Sequence, residues 1–167
     1  MKFTAIDFET ADYYRDSACS VALVRVEDGD VVDEVHRLIR PPRSGFVFTG
    51  IHGIDWPMVR DEPGFSSVWE DVRALTDGVE FLAAHNATFD HGVLRACCEA
   101  NGMAAPDLPW RCSVEVARTC WGIYPTKLNL VCAQLGIPLQ HHDALSDARA
   151  CARIMVEGGK TGKQSME

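Results

Sequence analysis

Asp7-Phe8-Glu9-Thr10 sets two carboxylates one residue apart, behind an apolar run that begins at Phe3. On a strand, alternate residues share a face, so Asp7 and Glu9 can grip one divalent cation from a rigid edge. Such a pair is routine on a surface strand. Here Phe3, Ala5, Ile6 and Phe8 make both faces of the segment apolar, as in a buried central strand. Acids at the end of a buried strand need a metal or partners to offset their desolvation. Asp90, in His85-Asn86-Ala87-Thr88-Phe89-Asp90, and the later pair His142 and Asp147 supply further groups of the right kind. Four acids of this type fit a two-metal phosphodiesterase centre.

His142-Asp143-Ala144-Leu145-Ser146-Asp147 spans a helix start, with Asp143 as the expected N-cap. The histidine then sits on the loop while Asp147 faces inward from the early turns. That leaves the imidazole available to take a proton from an attacking water. His141 competes for this role from one residue further away.

The remaining elements must bring these segments together. A strand over residues 2 to 9 is followed by Ser20 to Glu27 and Val31 to Arg40, joined by the Asp28-Gly29-Asp30 turn of an antiparallel hairpin and closed by Pro41-Pro42. Residues 43 to 63 read as loop, with a turn of helix near Pro57. Phe65, Val68, Val72 and Leu75 lie at helical spacing, Val79 to Ala84 as a short buried strand, and Thr88 to Ala100 as a helix stopped at Asn101-Gly102. Asp90 therefore falls in a first helical turn, where a carboxylate is favoured. Pro109 to Cys112 forms a strand end. Ser113 to Trp121, Leu128 to Leu135 and Ala144 to Val156 are the last helices. The expected fold is a mixed α/β sheet in one domain, without internal repeats.

The three motifs, in this order and topology, make the chain resemble the DnaQ-like 3'-5' exonucleases of the DEDDh subclass. The likeness covers residues 1 to 157, leaving 158–167 as a flexible tail. It implies an RNase H-like fold with a mixed five-stranded sheet flanked by helices. It also implies two Mg²⁺ or Mn²⁺ ions held by Asp7, Glu9, Asp90 and Asp147, with Asp7 bridging them and His142 as general base. Hard oxygen ligands select these ions over zinc. Phe8, Thr10, His85, Asn86 and Phe89 resemble the positions that seat a terminal nucleotide. Packing is an equal alternative for Phe8 and Phe89, and a loop-fixing hydrogen bond for Asn86. The tyrosine subclass is excluded, because Asp143 and Ala144 stand where its tyrosine would be.

Other features bound the function. The 167 residues suit one domain, and no apolar run approaches the ~20 residues of a membrane span. The N-terminus enters strand-like sequence from Lys2 without the pattern of a signal peptide, which points to a cytoplasmic protein. Seven cysteines without a Cys-x-x-Cys pair are expected to be reduced and structural. Gly158 to Lys163 contains Gly-Lys-Thr, yet Ile154 occupies the position where a phosphate loop needs glycine. His52 and Trp56 are expected to be structural, and His36 and His91 to lie on the surface.

A net charge of -8 argues against a long nucleic-acid footprint. Two bound cations would reduce it to about -4, and an enzyme that grips only a chain end needs few phosphate contacts. The expected partners are single-stranded DNA or RNA 3' ends, with DNA preferred, and a polymerase complex as a further partner. The chain is expected to be a monomer or a homodimer. The alternatives are an oligoribonuclease-like RNA exonuclease and a non-catalytic module that binds nucleic-acid ends. All four acids and the histidine are present, which favours an enzyme.

Overall fold

The computed structural model describes residues 1–162. β1 (Lys2–Thr10) is the central strand. It pairs antiparallel with β2 (Ala18–Glu27) and parallel with β4 (Phe81–Ala84), while β3 (Asp30–Leu38) and β5 (Trp110–Cys112) form the edges of a sheet ordered β3-β2-β1-β4-β5. The hairpin between β2 and β3 turns on Asp28 and Gly29, both at positive φ (52° and 95°). Two consecutive left-handed residues match the right-handed twist of the strands they join, which is why an Asp-Gly pair is favoured there.

The pleat sorts β1 into two faces. Phe3 and Ala5 pack with Val24, Phe81, Ala148, Ile154 and Met155 under α5 (Ser113–Trp121), α6 (Leu128–Leu135) and α7 (Ala144–Lys160). Ile6 and Phe8 pack on the other side with Leu23, Leu82 and Trp69, against α3 (Phe65–Val72) and α4 (Ala87–Ala100). Asp7 and Glu9 continue the row of Phe3 and Ala5, so they face α7, the helix that carries Asp147. This alternation is the step that turns two separated sequence motifs into one site.

Several boundaries differ from the sequence reading. Two short helices, α1 (Thr49–His52) and α2 (Trp56–Val59), occupy the stretch expected to be mostly loop. β3 stops at Leu38, and Arg40 forms an isolated bridge to Gly64 instead. A 3-10 turn (Arg73–Thr76) follows α3 and takes in Leu75. The boundary expected at residue 157 falls inside α7, which continues to Lys160 with Gly158 buried. The two glycines stay helical because the preceding turns are packed on the sheet, which overrides their poor intrinsic propensity. The Gly-Lys-Thr stretch is therefore a helix end, and the tail from 163 to 167 lies outside the described residues. Among the described residues the cysteines are free thiols, six of them buried, and no helix is long and apolar enough to cross a membrane.

Candidate active site

β1 outruns its parallel neighbour, since the pairing with β4 ends at Ala5 opposite Ala83. Its last residues therefore project past that half of the sheet. The first turn of α4 fills the gap: the Phe8 N–H donates to Asp90 Oδ1 at 2.9 Å, a contact made where a longer β4 would have supplied a carbonyl. Asp90 is buried, with 2% of its surface exposed.

Asp147 arrives from the opposite side. Asp143 caps α7 by accepting a hydrogen bond from the Ser146 N–H (2.8 Å), as the sequence predicts, and Asp147 then lies one turn inside the helix. Its Oδ2 accepts from the His142 backbone N–H (3.2 Å) and lies 3.3 Å from His141 Nδ1. Its Oδ1 is buried without a hydrogen-bond partner among the described residues. Ligand atoms of Asp7, Glu9 and Asp147 all lie within 4.8 Å of one another. Asp90 is near enough for its charge to act on Asp7 and Glu9.

Electrostatics sets the cluster apart from ordinary acids. Burial, followed by repulsion from Asp90, Glu9, Asp147 and Asp143, holds Asp7 well above the usual carboxylate range. Burial and the charges of Asp147, Asp90 and Asp143 push Glu9 up to about 8. Asp90 is raised mainly by burial, partly offset by the Phe8 N–H, and Asp147 is raised by burial against the opposing pull of His141 and His142. Among the described residues, no Lys or Arg is among the causes that shift any of the four. A buried carboxylate oxygen of Asp147 that has no hydrogen-bond partner among the described residues, facing two further acids, fits a hard divalent cation, with the ring nitrogens of His141 and His142 on the other side of that carboxylate. Asp7, Glu9 and Asp147 would hold it, and Asp90 is placed to help hold a second.

His142 is brought to the rim by a left-handed backbone at φ 67°, a conformation that costs a non-glycine residue ~1 kcal/mol or more. The Asp147 contact to its N–H holds that geometry. Its ring is exposed and stacks on His141, with centroids 3.8 Å apart. Burial and His141 lower its pKa against the raising effect of Asp147, so the ring is mostly the neutral, proton-accepting form at pH 7. His141 directs Nδ1 to Asp147, whereas His142 hydrogen-bonds that carboxylate through its backbone N–H, with a ring nitrogen within 4.8 Å of it.

The residues expected to seat a nucleotide separate into two groups. Phe8 is 3% exposed and belongs to the core, so its ring packs and its backbone serves Asp90. His85 spends both ring nitrogens inside the protein, Nδ1 on Ser113 Oγ (2.7 Å) and Nε2 on the Thr126 carbonyl (2.8 Å). It ties β4 to α5 and to the loop before α6. Thr10 is buried, and its carbonyl lies 3.0 Å from His52 Nε2. Because His52 Nδ1 accepts from the Ile54 N–H, Nε2 is the protonated nitrogen and His52 acts as a brace. Asn86 and Phe89 remain exposed at the start of α4, with Asn86 at φ 72°.

Sequence reasoning missed other neighbours. His36, expected on the surface, is half-buried, with Nε2 2.8 Å from Ser20 Oγ. It lines a cavity of about 410 Å³ together with Glu9, His52, His142 and Asp143. The pairing Asp7–Ala22–His36 across three strands puts it in the same row as Asp7. That register follows from the hairpin turn only once the bulge at Arg25/Val26 is known.

The loop after β1 exposes Tyr13 (79%) and Tyr14 (68%). Tyr13 meets Phe48 edge-on and Arg43 lies over Tyr14. Arg15 Nη1 fastens this loop to α4 by donating to the carbonyls of Thr88 (3.0 Å) and Phe89 (3.3 Å). A Cβ at Gly92 would come within 1.7 Å of that nitrogen, so a larger residue there would displace the Arg15 side chain. Exposed aromatic side chains have no periodic signal, so a sequence pattern does not single them out.

The RNase T exonuclease family model matches residues 4–155. The chain is 29% identical over 158 residues to a PolC-type DNA polymerase III of Thermotoga petrophila, covering 92% of this chain and 12% of that protein. It therefore spans only about an eighth of the length of that relative. To exodeoxyribonuclease 10 of Escherichia coli it is 33% identical over 164 residues, covering 91% of this chain and 66% of the relative. The solved structure of exonuclease X in complex with 5' overhanging duplex DNA superposes with a TM-score of 0.78 at 26% identity, over 95% of this chain and 92% of that one.

Proposed function

Starting from a chain that belongs to the DnaQ-like, DEDDh exonuclease family and has its RNase H-like fold, we propose that it is a metal-dependent 3'-5' exonuclease releasing nucleoside 5'-monophosphates from single-stranded ends, DNA in preference to RNA. The observation that carries this reading is the meeting of Asp7, Glu9 and Asp147 within 4.8 Å, with Asp90 beside them.

Two Mg²⁺ or Mn²⁺ ions, when bound, would neutralise charge on the attacking and leaving oxygens of the phosphodiester. Asp7, Glu9, Asp90 and Asp147 would hold them, from a strand end and two helix starts. His142, neutral and exposed at the rim, takes the proton of the attacking water. Asn86 and Phe89 flank the cleft at the start of α4, and Tyr13 and Tyr14 offer aromatic faces to unpaired bases on the adjoining loop. The DNA preference draws on the relatives, which are named a DNA polymerase and an exodeoxyribonuclease.

The test is digestion of matched 5'-labelled DNA and RNA oligomers, dinucleotides included, with Mg²⁺ or Mn²⁺ and with chelator. A ladder shortening from the 3' end that chelator stops is the expected result. Intact oligomers under all conditions would leave only an end-binding module. Faster loss of RNA than of DNA would reverse the sugar preference.

A further inference from the structure

We propose that the loop between α5 and α6 is a second contact for the substrate, where Arg118 and Lys127 hold phosphates, and Tyr124 a base, of the single strand upstream of the terminal nucleotide. This rests on the exonuclease reading above and extends it away from the acids.

The loop is held at both ends. Gly122 closes α5 in a left-handed backbone (φ 65°), its N–H donating to the Arg118 carbonyl at 2.9 Å, and the Ile123 N–H donates to the Ala117 carbonyl at 3.3 Å while its side chain is buried. The Thr126 carbonyl lies 2.8 Å from His85 Nε2, and His85 directly precedes Asn86 at the start of α4. His85 is also near enough to His141 for that charge to act on it. The loop therefore borders the rim on which Asn86 and His141 lie.

What it presents there is cationic and aromatic. Tyr124 is 67% exposed, and Arg118 and Lys127 are exposed as well. The Arg118 guanidinium carbon sits 5.4 Å from the centre of the Tyr124 ring, and its Nη2 donates to Thr126 Oγ1 at 3.3 Å. Neither cation forms an ion pair among the described residues, although the chain has 24 acids to 16 bases. Arg43, Arg149 and Arg153 by contrast lie on carboxylates. A phosphate can thus approach Arg118 and Lys127 without breaking an existing pair. In a chain of net charge -8, such a patch is where a polyanion is least repelled. An exposed ring stacks on any base that has no pairing partner, so ring and cations together select a single strand.

The test is binding of a 5'-fluorescein oligothymidylate of about 12 nucleotides, read by anisotropy in chelator over a salt series. Each single-strand phosphate contact contributes about -0.7 to the slope of log K against log salt, so Arg118→Gln and Lys127→Gln should each make the slope about 0.7 shallower, and together about 1.4. Tyr124→Ala should weaken binding about fivefold or more at an unchanged slope, and Tyr124→Phe should bind like the wild type. Arg73→Gln, on the turn after α3, removes the same charge and should leave the slope alone. Circular dichroism and melting confirm that each variant is folded. A wild type that does not bind, single variants with the wild-type slope, an Arg73→Gln slope as shallow as that of Lys127→Gln, or a Tyr124→Ala that binds like the wild type each overturns the proposal. Displacement of the oligomer by polyglutamate as readily as by unlabelled oligothymidylate would assign the patch to an acidic protein segment and overturn it too. Digestion of the same oligomer with Mg²⁺ is read separately: no shortening, with the slopes as expected, sinks the exonuclease reading and supports the strand contact.

Discussion

The two ends of β1 lie among acids in opposite circumstances. At its start, Glu27 takes Lys2 Nζ at 3.1 Å and Arg25 Nε at 2.9 Å, and the terminal amine of Met1 lies 3.5 Å from Asp28. Hydrogen bonds from Arg25 and then Lys2 hold Glu27 below its ordinary range. At its other end, Asp7, Glu9, Asp90 and Asp147 repel one another, with no Lys or Arg among the described residues shifting any of them, and all are raised. Both ends lie within one strand's length, so the difference is not one of composition. Paired acids at the exposed end close off the sheet. Unpaired acids at the buried end repel one another, and a bound divalent cation would relieve that repulsion.

The sharpest way to break this contrast is Asp7→Asn. Activity should fall by about 10³-fold or more, because a ligand worth several kcal/mol of transition-state stabilisation is lost. The metal-free variant should melt at or above the wild type, since one repelling charge is gone. Retained turnover in a steady-state assay would mean that Asp7 is as structural as Glu27. His142→Ala should slow the reaction by ~10²-fold or more with little change in melting temperature. A rate near wild type would pass the base role to His141 or to solvent.

Metal removal sharpens the comparison through pH. Glu9 has an ordinary value of 4.5 and a folded value of about 8, so between these limits the folded state binds more protons than the unfolded one. Metal-free stability is therefore lost as pH rises through that window, by a few kcal/mol at most. Melting with chelator should be lower at pH ~8 than at pH ~5.5, and Mg²⁺ should raise it more at the higher pH. Equal Mg²⁺ shifts at both values would count against a cation relieving the acids.

The smallest effect belongs to Glu27→Gln. Its folded pKa is depressed, so its contribution is present above the ordinary carboxylate range and lost as pH falls. Because the group is exposed, melting should drop only slightly at pH 7, and digestion should proceed at the wild-type rate. A large loss of activity would show that the two ends are coupled.

Much of this was legible in the chain itself. The bounds of α5 and α6 coincide with the helical periodicity of Ser113 to Trp121 and Leu128 to Leu135. The cap at Asp143 and the hairpin at Asp28-Gly29 follow from local chemistry that a few adjacent residues decide. Phe8 and Phe89, equally apolar and each beside an acid, could not be told apart that way. The first lies under a helix layer and the second beyond it, and only the packed layers define which is covered. His85 likewise reads as a residue that seats a nucleotide until Ser113 and Thr126 are seen to use both of its nitrogens.

The sequence by itself determined which acids exist, which of them share a strand face, and which begin a helix, because each of these rests on a repeat of two or on a capping residue. The tertiary structure decided that Asp147 reaches Asp7 and Glu9, that Asp90 takes the place of an absent strand partner, and that His36 stands in the row of Asp7. Those facts depend on strand register, on a bulge and on where β4 stops. Such terms are set by the fit of whole faces against one another, and no short window of residues contains them.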